Sequence, residues 1–245
     1  MARSSAMTKP RLLLSWSSGK DSAWTLHVLR ASNRYDIVGL VTTVNERFNR
    51  VAMHGVRAEL LQAQAEAAGV PLWRVPLPHP CPNAEYESRM RALIARAISE
   101  GVTHMAFGDL FLEDIRAYRE KQLAGTGLTP LFPLWGLDTG GLARDMVRSG
   151  LRAKLTCVDP RHLDRSFAGR TFDTALLADL PAAIDPCGER GEFHTFCYQG
   201  PMFRRPVPVQ TGEVVERDGF VFADLLPGGE AIRPDEDAHP AHSAQ

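Results

Sequence analysis

Short apolar runs alternate with amphipathic stretches through the first half of the chain. Leu12-Leu13-Leu14-Ser15-Trp16 reads as a buried strand. Behind it, Ala23, Trp24, Leu26, Val28 and Leu29 mark a helix that opens with Asp21 and Ser22 in its first turn. Tyr35–Val44, centred on Ile37-Val38-Gly39-Leu40-Val41, is a second buried strand. Met53–Ala68 carries Val56, Leu60, Leu61 and Ala65 on one helical face, and Gly69 supplies its stop. Pro71–Leu77 is a third strand, after which Pro76, Pro78, Pro80 and Pro82 interrupt the pattern. Glu85–Glu100 is helical through Met90, Leu93, Ile94 and Ala97, and Val102–Phe107 is a fourth strand running into Gly108-Asp109.

Buried strands alternating with helices predict an α/β fold, a parallel sheet covered on both faces. Ligands of such sheets lie beyond the carboxyl ends of the strands, at a switch point. Three polar clusters fall at that edge: Ser17–Ser22, Thr42–Asn45 and Gly108–Asp109.

The second half changes character. Leu112–Ala124 is a charged amphipathic helix, Leu131–Leu134 a short extended piece, Asp138–Ser149 a helix stopped by Gly150, and Leu151–Val158 a strand. Phe172–Leu180 reads as a short helix, followed by the dense stretch Asp185–Phe203. Pro206–Leu226 alternates as a hairpin turning at Arg217-Asp218-Gly219. Pro227–Gln245 is rich in Gly, Pro, Asp and Ala and is expected to be disordered, so His239 and His242 receive no metal role. The expected organisation is an arm over 1–10, a nucleotide-binding domain over 11–110, a smaller α/β domain over 111–226, and a tail.

Composition narrows the partners. A net charge of −1 over 245 residues offers no bulk attraction to nucleic acid, which is not expected as a partner. No apolar run approaches the roughly 20 residues of a membrane span, and Met1–Pro10 lacks a signal-peptide core, so a cytoplasmic location is expected. Cys81, Cys157, Cys187 and Cys197 contain no C-x-x-C pair, which argues against a structural zinc site or a disulfide framework.

Two stretches carry the chemistry. Ser17-Ser18-Gly19-Lys20-Asp21-Ser22 follows a strand and opens a helix, where unpaired backbone N–H groups and the helix dipole receive anionic oxygens. It is not a Walker A loop, because position 14 is Leu and Lys20 is followed by Asp21. The second stretch, Asp185–Phe196, packs glycines with Glu189, Glu192, His194 and Thr195 into a few positions, a supply of acid/base or metal-bridging groups.

These stretches resemble a known family. The first is similar to the SGGKDS loop of the PP-loop ATP pyrophosphatases, with Ser18 in place of the first glycine. Phe107-Gly108-Asp109 with Asp114, Arg116, Tyr118, Arg119 and Glu120, then Pro133-Leu134-Trp135, then Gly188-Glu189-Arg190-Gly191-Glu192-Phe193-His194-Thr195, together resemble the diphthine–ammonia ligase family and its bacterial relatives. Ala52-Met53-His54-Gly55-Val56-Arg57 fits those relatives too, and the likeness runs from about Leu12 to Phe203.

The resemblance implies an adenine-nucleotide alpha-hydrolase-like (Rossmann-like) domain closed by a smaller one, and cleavage of ATP to AMP and pyrophosphate with Mg²⁺. By motif, Ser17, Ser18, Gly19, Lys20, Asp21 and Ser22 hold the phosphates. Val41, Thr42 and Thr43 offer backbone to the adenine, and Gly108 and Asp109 lie at the nucleotide edge. Lys20 offsets charge on pyrophosphate, and Asp21 or Asp109 positions the metal. Glu189, Glu192, His194 and Thr195 serve the acceptor side, with Glu192 or His194 as base for ammonia or another amine. The acceptor carboxylate, on a small molecule or a protein side chain, stays open, as does a homodimer. Two alternatives stand beside this reading: sulfur transfer through Cys187, with Arg204-Arg205 as a basic contact, and a nucleotide sensor that binds ATP without consuming it.

Overall fold

The computed structural model describes residues 8–51 and 55–228. Its first sheet has five parallel strands in the order β4-β2-β1-β5-β6: β1 (Arg11–Ser15), β2 (Asp36–Asn45), β4 (Leu72–Leu77), β5 (Val102–Ala106) and β6 (Thr129–Leu131). A two-residue strand, β3 (Arg50–Val51), pairs antiparallel with the end of β2. The chain first winds from β1 through β2 to β4, then crosses back to β5 on the other side of β1. The winding therefore reverses between β1 and β5, which opens a crevice outside their carboxyl ends.

Leu12, Leu13 and Leu14 of β1 are fully buried because both sheet faces are covered. On one face lie α1 (Lys20–Ser32) and α2 (Ala58–Ala68), and on the other α3 (Asn83–Ser99) sets Leu93, Ile94 and Ala97 against Leu13, Trp73 and Val75. The remaining helices are α4 (Glu113–Leu123), α5 (Thr139–Arg148) and α6 (Thr174–Asp179).

The second sheet is antiparallel. It runs from β10 (Val209–Arg217) through β11 (Phe220–Pro227) to β7 (Arg152–Val158), which also pairs with β8 (Thr171–Phe172) and β9 (Phe193–Gln199). It packs on the α1/α2 side, α1 touching β9 and α2 touching β11. One apolar cluster runs unbroken from Leu12, Leu14 and Leu26 to Leu155, Phe193, Phe196 and Leu225. The two sheets thus share a core.

Several expectations need correcting. The extended piece placed at Leu131–Leu134 is β6 at Thr129–Leu131, where Ala106 faces Leu131 and Phe107 N–H donates to Leu131 O. Pro133 has no N–H to extend the ladder, and Trp135 N–H turns back to Phe132 O. The first sheet consequently reaches past the division expected at 110. Helix α2 starts at Ala58 rather than Met53: Val51 N–H pairs with Val56 O, and Arg50 bridges Arg57 just before the helix. Met53 and His54 lie outside the described residues, as do residues 1–7 and the tail from 229. Phe172 belongs to β8, and α6 begins only after Asp173, whose carboxylate caps Leu176 N–H. The hairpin turn is Asp218-Gly219, both at positive φ, as a two-residue hairpin demands.

Candidate active site

The loop between β1 and α1 is shaped by partners outside it. Ser18 adopts φ +70°, the left-handed backbone for which glycine is the usual residue, at a cost of about 1 kcal/mol or more. That turn is held by its carbonyl, which accepts Cys197 N–H at 2.9 Å from β9 and Gln64 Nε2 at 2.9 Å from α2. Gln64 also reaches Cys197 O and accepts Trp16 Nε1 at 3.0 Å. The Ser18 side chain is wholly buried with no hydrogen-bond partner for Oγ, and it lies outside the cavity walls. Ser18 therefore shapes the loop, and its side chain, expected among those holding phosphate, stands outside the cavity lining. Gly19 is needed for closeness: an added Cβ would stand 3.2 Å from Thr195 O.

Lys20 and Asp21 form the charged floor. Lys20 is 1% exposed, and its Nζ donates to both Asp21 oxygens, at 3.0 and 2.8 Å, and to Cys187 O. The Phe172 and Phe193 rings flank it at 5.5 Å. Burial opposes its charge, but Asp21 foremost holds the lysine above its ordinary pKa, so it stays protonated. Burial lifts the Asp21 carboxyl, with Lys20 pulling the other way. Ser17 and Ser22 hydroxyls stand 3.2 Å apart beside this pair.

Gly108 packs the end of β5 against the first turn of α1, where a Cβ would sit 3.1 Å from backbone of Asp21. Asp109 then enters the cavity. Its Oδ2 is buried without a hydrogen bond, 3.6 Å from Arg119 Nε of α4, which also has none. Burial raises this carboxyl, and Arg119 only partly offsets the effect.

The opposite wall is the loop before β9. Glu189 Oε1 accepts Leu110 N–H at 2.8 Å, so the loop is fastened to the first domain next to Asp109. Burial pushes the Glu189 carboxyl up to about 7, against the pull of that N–H. Glu192 does something different. It is 3% exposed, and its oxygens accept Asp185 N–H at 3.1 Å and Arg190 N–H at 2.9 Å. It does not line the cavity. Glu192 builds the loop that presents Glu189, so of the two groups expected as base it stands outside the cavity lining. His194 does face the cavity, and burial followed by the nearby Lys20 charge lowers its pKa, favouring neutral imidazole. Thr195 Oγ1 accepts Lys20 N–H at 3.1 Å.

Two cavities result, with some wall residues in common. The smaller, about 230 Å³, is lined by Ser17, Gly19 and Lys20 of the loop with Asp109 and Glu189. The larger, about 470 Å³, lies over β1, β2 and β5, with Val41, Thr42, Met105, Phe107 and Tyr118 among its walls. Thr43 lines it as well. Val41 O accepts Trp16 N–H and Thr42 Oγ1 donates to Trp16 O, so these groups are already spent inside the sheet. The cavity sizes and linings suit a nucleoside beside a polyphosphate.

Sequence reading missed Gln64 and Arg119. Gln64 had a signal: a polar residue on the buried helical stripe of Leu60, Leu61 and Ala68. Arg119 lay within a quoted motif, but its place in the walls of both cavities depends on how α4 packs against β6. Of the alternatives, sulfur transfer is not favoured, although Cys187 does line the smaller cavity. Cys187 is 2% exposed, and burial pushes its thiol up.

Comparison with known proteins adds to this geometry. The model described as diphthamide synthase N-terminal domain matches residues 11–130, and that described as diphthamide synthase C-terminal domain matches residues 138–223. The chain is 25% identical to diphthine–ammonia ligase of Danio rerio over 231 residues, covering 85% of this chain and 90% of that protein. The Homo sapiens enzyme is likewise 25% identical over 231 residues, with 85% and 86% covered. Among solved structures, the U34-tRNA thiolase NcsA from Methanococcus maripaludis with its [4Fe-4S] cluster aligns at TM-score 0.35 and 18% identity, over 56% of this chain and 55% of that one. That likeness is too slight to bear on fold or chemistry.

Proposed function

The chain belongs to the diphthamide synthase family, both of whose domain models it matches in order, and from that premise we propose that it is an ATP-dependent ligase forming a C–N bond: it adenylates an acceptor carboxylate and passes the acyl group to ammonia. The observation that carries this reading is Glu189, a carboxyl held near pH 7 in the same small cavity as the Lys20 loop. A phosphate site alone needs no such group, whereas a nucleophile arriving as ammonium needs a base of matched pKa.

Nucleoside occupies the larger cavity and the β- and γ-phosphates rest on the Gly19–Ser22 loop. An acceptor carboxylate oxygen bonds to the α-phosphorus while the bond to the bridging oxygen breaks, and that electron pair leaves with pyrophosphate. Lys20, protonated and immobilised, offsets the charge that builds there. Glu189 then takes a proton from ammonium; the ammonia nitrogen bonds to the acyl carbon as the acyl C–O bond to AMP breaks, AMP leaves with that electron pair, and the second proton lost from nitrogen passes to solvent. Glu192 keeps Glu189 in place, and His194, as neutral imidazole, adds no charge to the wall.

The residues fit Mg²⁺. The cavity sets three carboxylates (Asp21, Asp109, Glu189) against a polyanionic ligand, and Asp109 Oδ2 is buried with no donor of its own. Among the described residues no group of three acidic, His or Cys side chains could hold a metal alone. Mg²⁺ commonly takes one or two carboxylates plus substrate phosphates, a role open to Asp109 and Asp21. When bound, it supplies charge neutralisation of the phosphates.

The test is AMP and pyrophosphate release from ATP, assayed with ammonia and candidate carboxylate acceptors, the diphthine acted on by the relatives among them. Lys20→Ala is expected to lower release by about a hundredfold or more. Unchanged release in Lys20→Ala, or ATP returned intact with every acceptor, would sink the proposal, and the latter result would favour a nucleotide sensor. No helix among the described residues is long and apolar enough to cross a membrane.

A further inference from the structure

We propose that Arg119 is a direct ligand of the nucleotide's α-phosphoryl group and a catalytic residue of the adenylation step. The inference rests on the adenylation reading above and names the group that acts on its reacting phosphorus.

The walls that the two cavities share are taken as a neck between them. Ser15, Ser17, Arg119 and His194 line both of them. A nucleotide with its nucleoside in the larger chamber and its β- and γ-phosphates in the smaller must place the α-phosphorus at that neck. Of the four neck residues, Arg119 alone carries a permanent charge. Lys20 lines only the smaller chamber, where the leaving pyrophosphate sits.

The state of Arg119 is that of a group held ready. Its Nε is buried without a hydrogen bond, and Asp109 Oδ2, 3.6 Å away, is equally unbonded. At that separation the two form an ion pair without a hydrogen bond between them. The guanidinium lies 5.1 Å from the Phe107 ring centroid, which steadies it without using an N–H. The neighbouring cation of α4 is committed elsewhere: Arg116 Nε donates to Glu120 at 2.8 Å, and its guanidinium lies over the Phe132 and Trp135 rings.

A guanidinium fork can meet two phosphate oxygens at once. In-line displacement at the α-phosphorus adds negative charge to its non-bridging oxygens, so a fixed cation at the neck stabilises the transition state more than the ground state. The bond changes are those of the adenylation step, and Arg119 neither gains nor loses a proton. Lys20 and Arg119 thus divide the work between leaving group and reacting centre.

The test separates phosphate contact from activity. Adenosine, AMP and ATP are titrated by calorimetry into the parent protein, Arg119→Gln, Arg119→Lys and Lys20→Ala, with Arg116→Gln as a control for the integrity of α4. Arg119→Gln is expected to weaken AMP and ATP about ten- to a hundredfold while adenosine stays within about twofold. Arg119→Lys should recover part of the AMP affinity, Lys20→Ala should weaken ATP but spare AMP, and Arg116→Gln should match the parent. AMP affinity unchanged in Arg119→Gln overturns the proposal. So does an equal loss of all three ligands, or the same loss in Arg116→Gln, because either would mark a structural role for the helix. A parent protein that binds none of the three overturns the ATP reading itself and this inference with it.

Discussion

The Thr195 hydroxyl of β9 accepts the backbone N–H of Lys20, the first residue of α1, at 3.1 Å. Helix α1 has Gly19 at its N-cap and no side-chain cap of its own, so the second sheet supplies from 175 residues away what a local Ser or Asp usually does. Cys197 N–H, two residues along β9, holds the Ser18 carbonyl in the same way. The loop between β1 and α1 is therefore complete only when the second sheet is docked.

Thr195→Val keeps the shape and removes the acceptor. It is expected to cost about 1–2 kcal/mol, read as a lower urea midpoint with an unchanged slope, and to weaken ATP binding. Thr195→Ser should stay near the parent. A Thr195→Val protein that unfolds at the parent midpoint would show the contact to be idle.

The raised pKa of Glu189 has a stability consequence of definite sign. Between its ordinary value near 4.5 and about 7, the native state holds a proton that the unfolded chain has released, so stability falls as pH rises through that window. Glu189→Gln is expected to match the parent near pH 4 and exceed it by about 1–2 kcal/mol at pH 8 in thermal melts, while losing ligase activity. The parent's activity should climb through about pH 7, and this limb should be missing from Glu189→Gln. Melting curves that stay parallel across pH would contradict the assignment.

Asp224 ties the second sheet to the edge of the first. Its oxygens accept Arg50 NH1 at 2.8 Å and Arg57 NH2 at 2.6 Å. Burial pushes the carboxyl up, but the two guanidinium bonds outweigh it and leave the pKa below the ordinary aspartate value. Its contribution is therefore full above the unfolded pKa, near 3.8, and is lost as pH falls through the folded value. Asp224→Asn should destabilise by about 1–2 kcal/mol at pH 7, with the gap closing in acid. Equal loss at pH 7 and pH 2 would point to packing instead of charge.

The thiols should separate by burial. Cys157, Cys187 and Cys197 are buried, and burial raises each of them, Cys157 to about 12, whereas Cys81 is partly exposed. A chromogenic disulfide reagent is expected to titrate one thiol quickly in the native protein and the other three only on unfolding. Rapid native labelling at Cys187 would restore the sulfur-transfer alternative.

Much of the architecture was written locally. Apolar runs bounded by Gly and Pro marked β1, β2, β4 and β5, and Gly69 at φ +63° and Asp218-Gly219 fell where their backbone freedom was needed. The loop at 17–22 and the Glu-rich stretch at 188–195 were recognisable because their residue types are costly to assemble without a use. Roles inside those stretches were not legible. Glu189 and Glu192 are equivalent in sequence terms, yet one faces the cavity and the other accepts N–H groups of its own loop.

The sequence by itself determined the strand–helix alternation, the phosphate loop and the pool of acidic and imidazole groups, since each depends on neighbours a few residues apart. Only the tertiary structure decided that β9 caps α1, that Ser18 turns the loop from outside the cavity lining, and that Arg119 lines both cavities. Those outcomes depend on burial and on hydrogen bonds between residues far apart in the chain. Such forces act only after the two sheets have closed on their shared core.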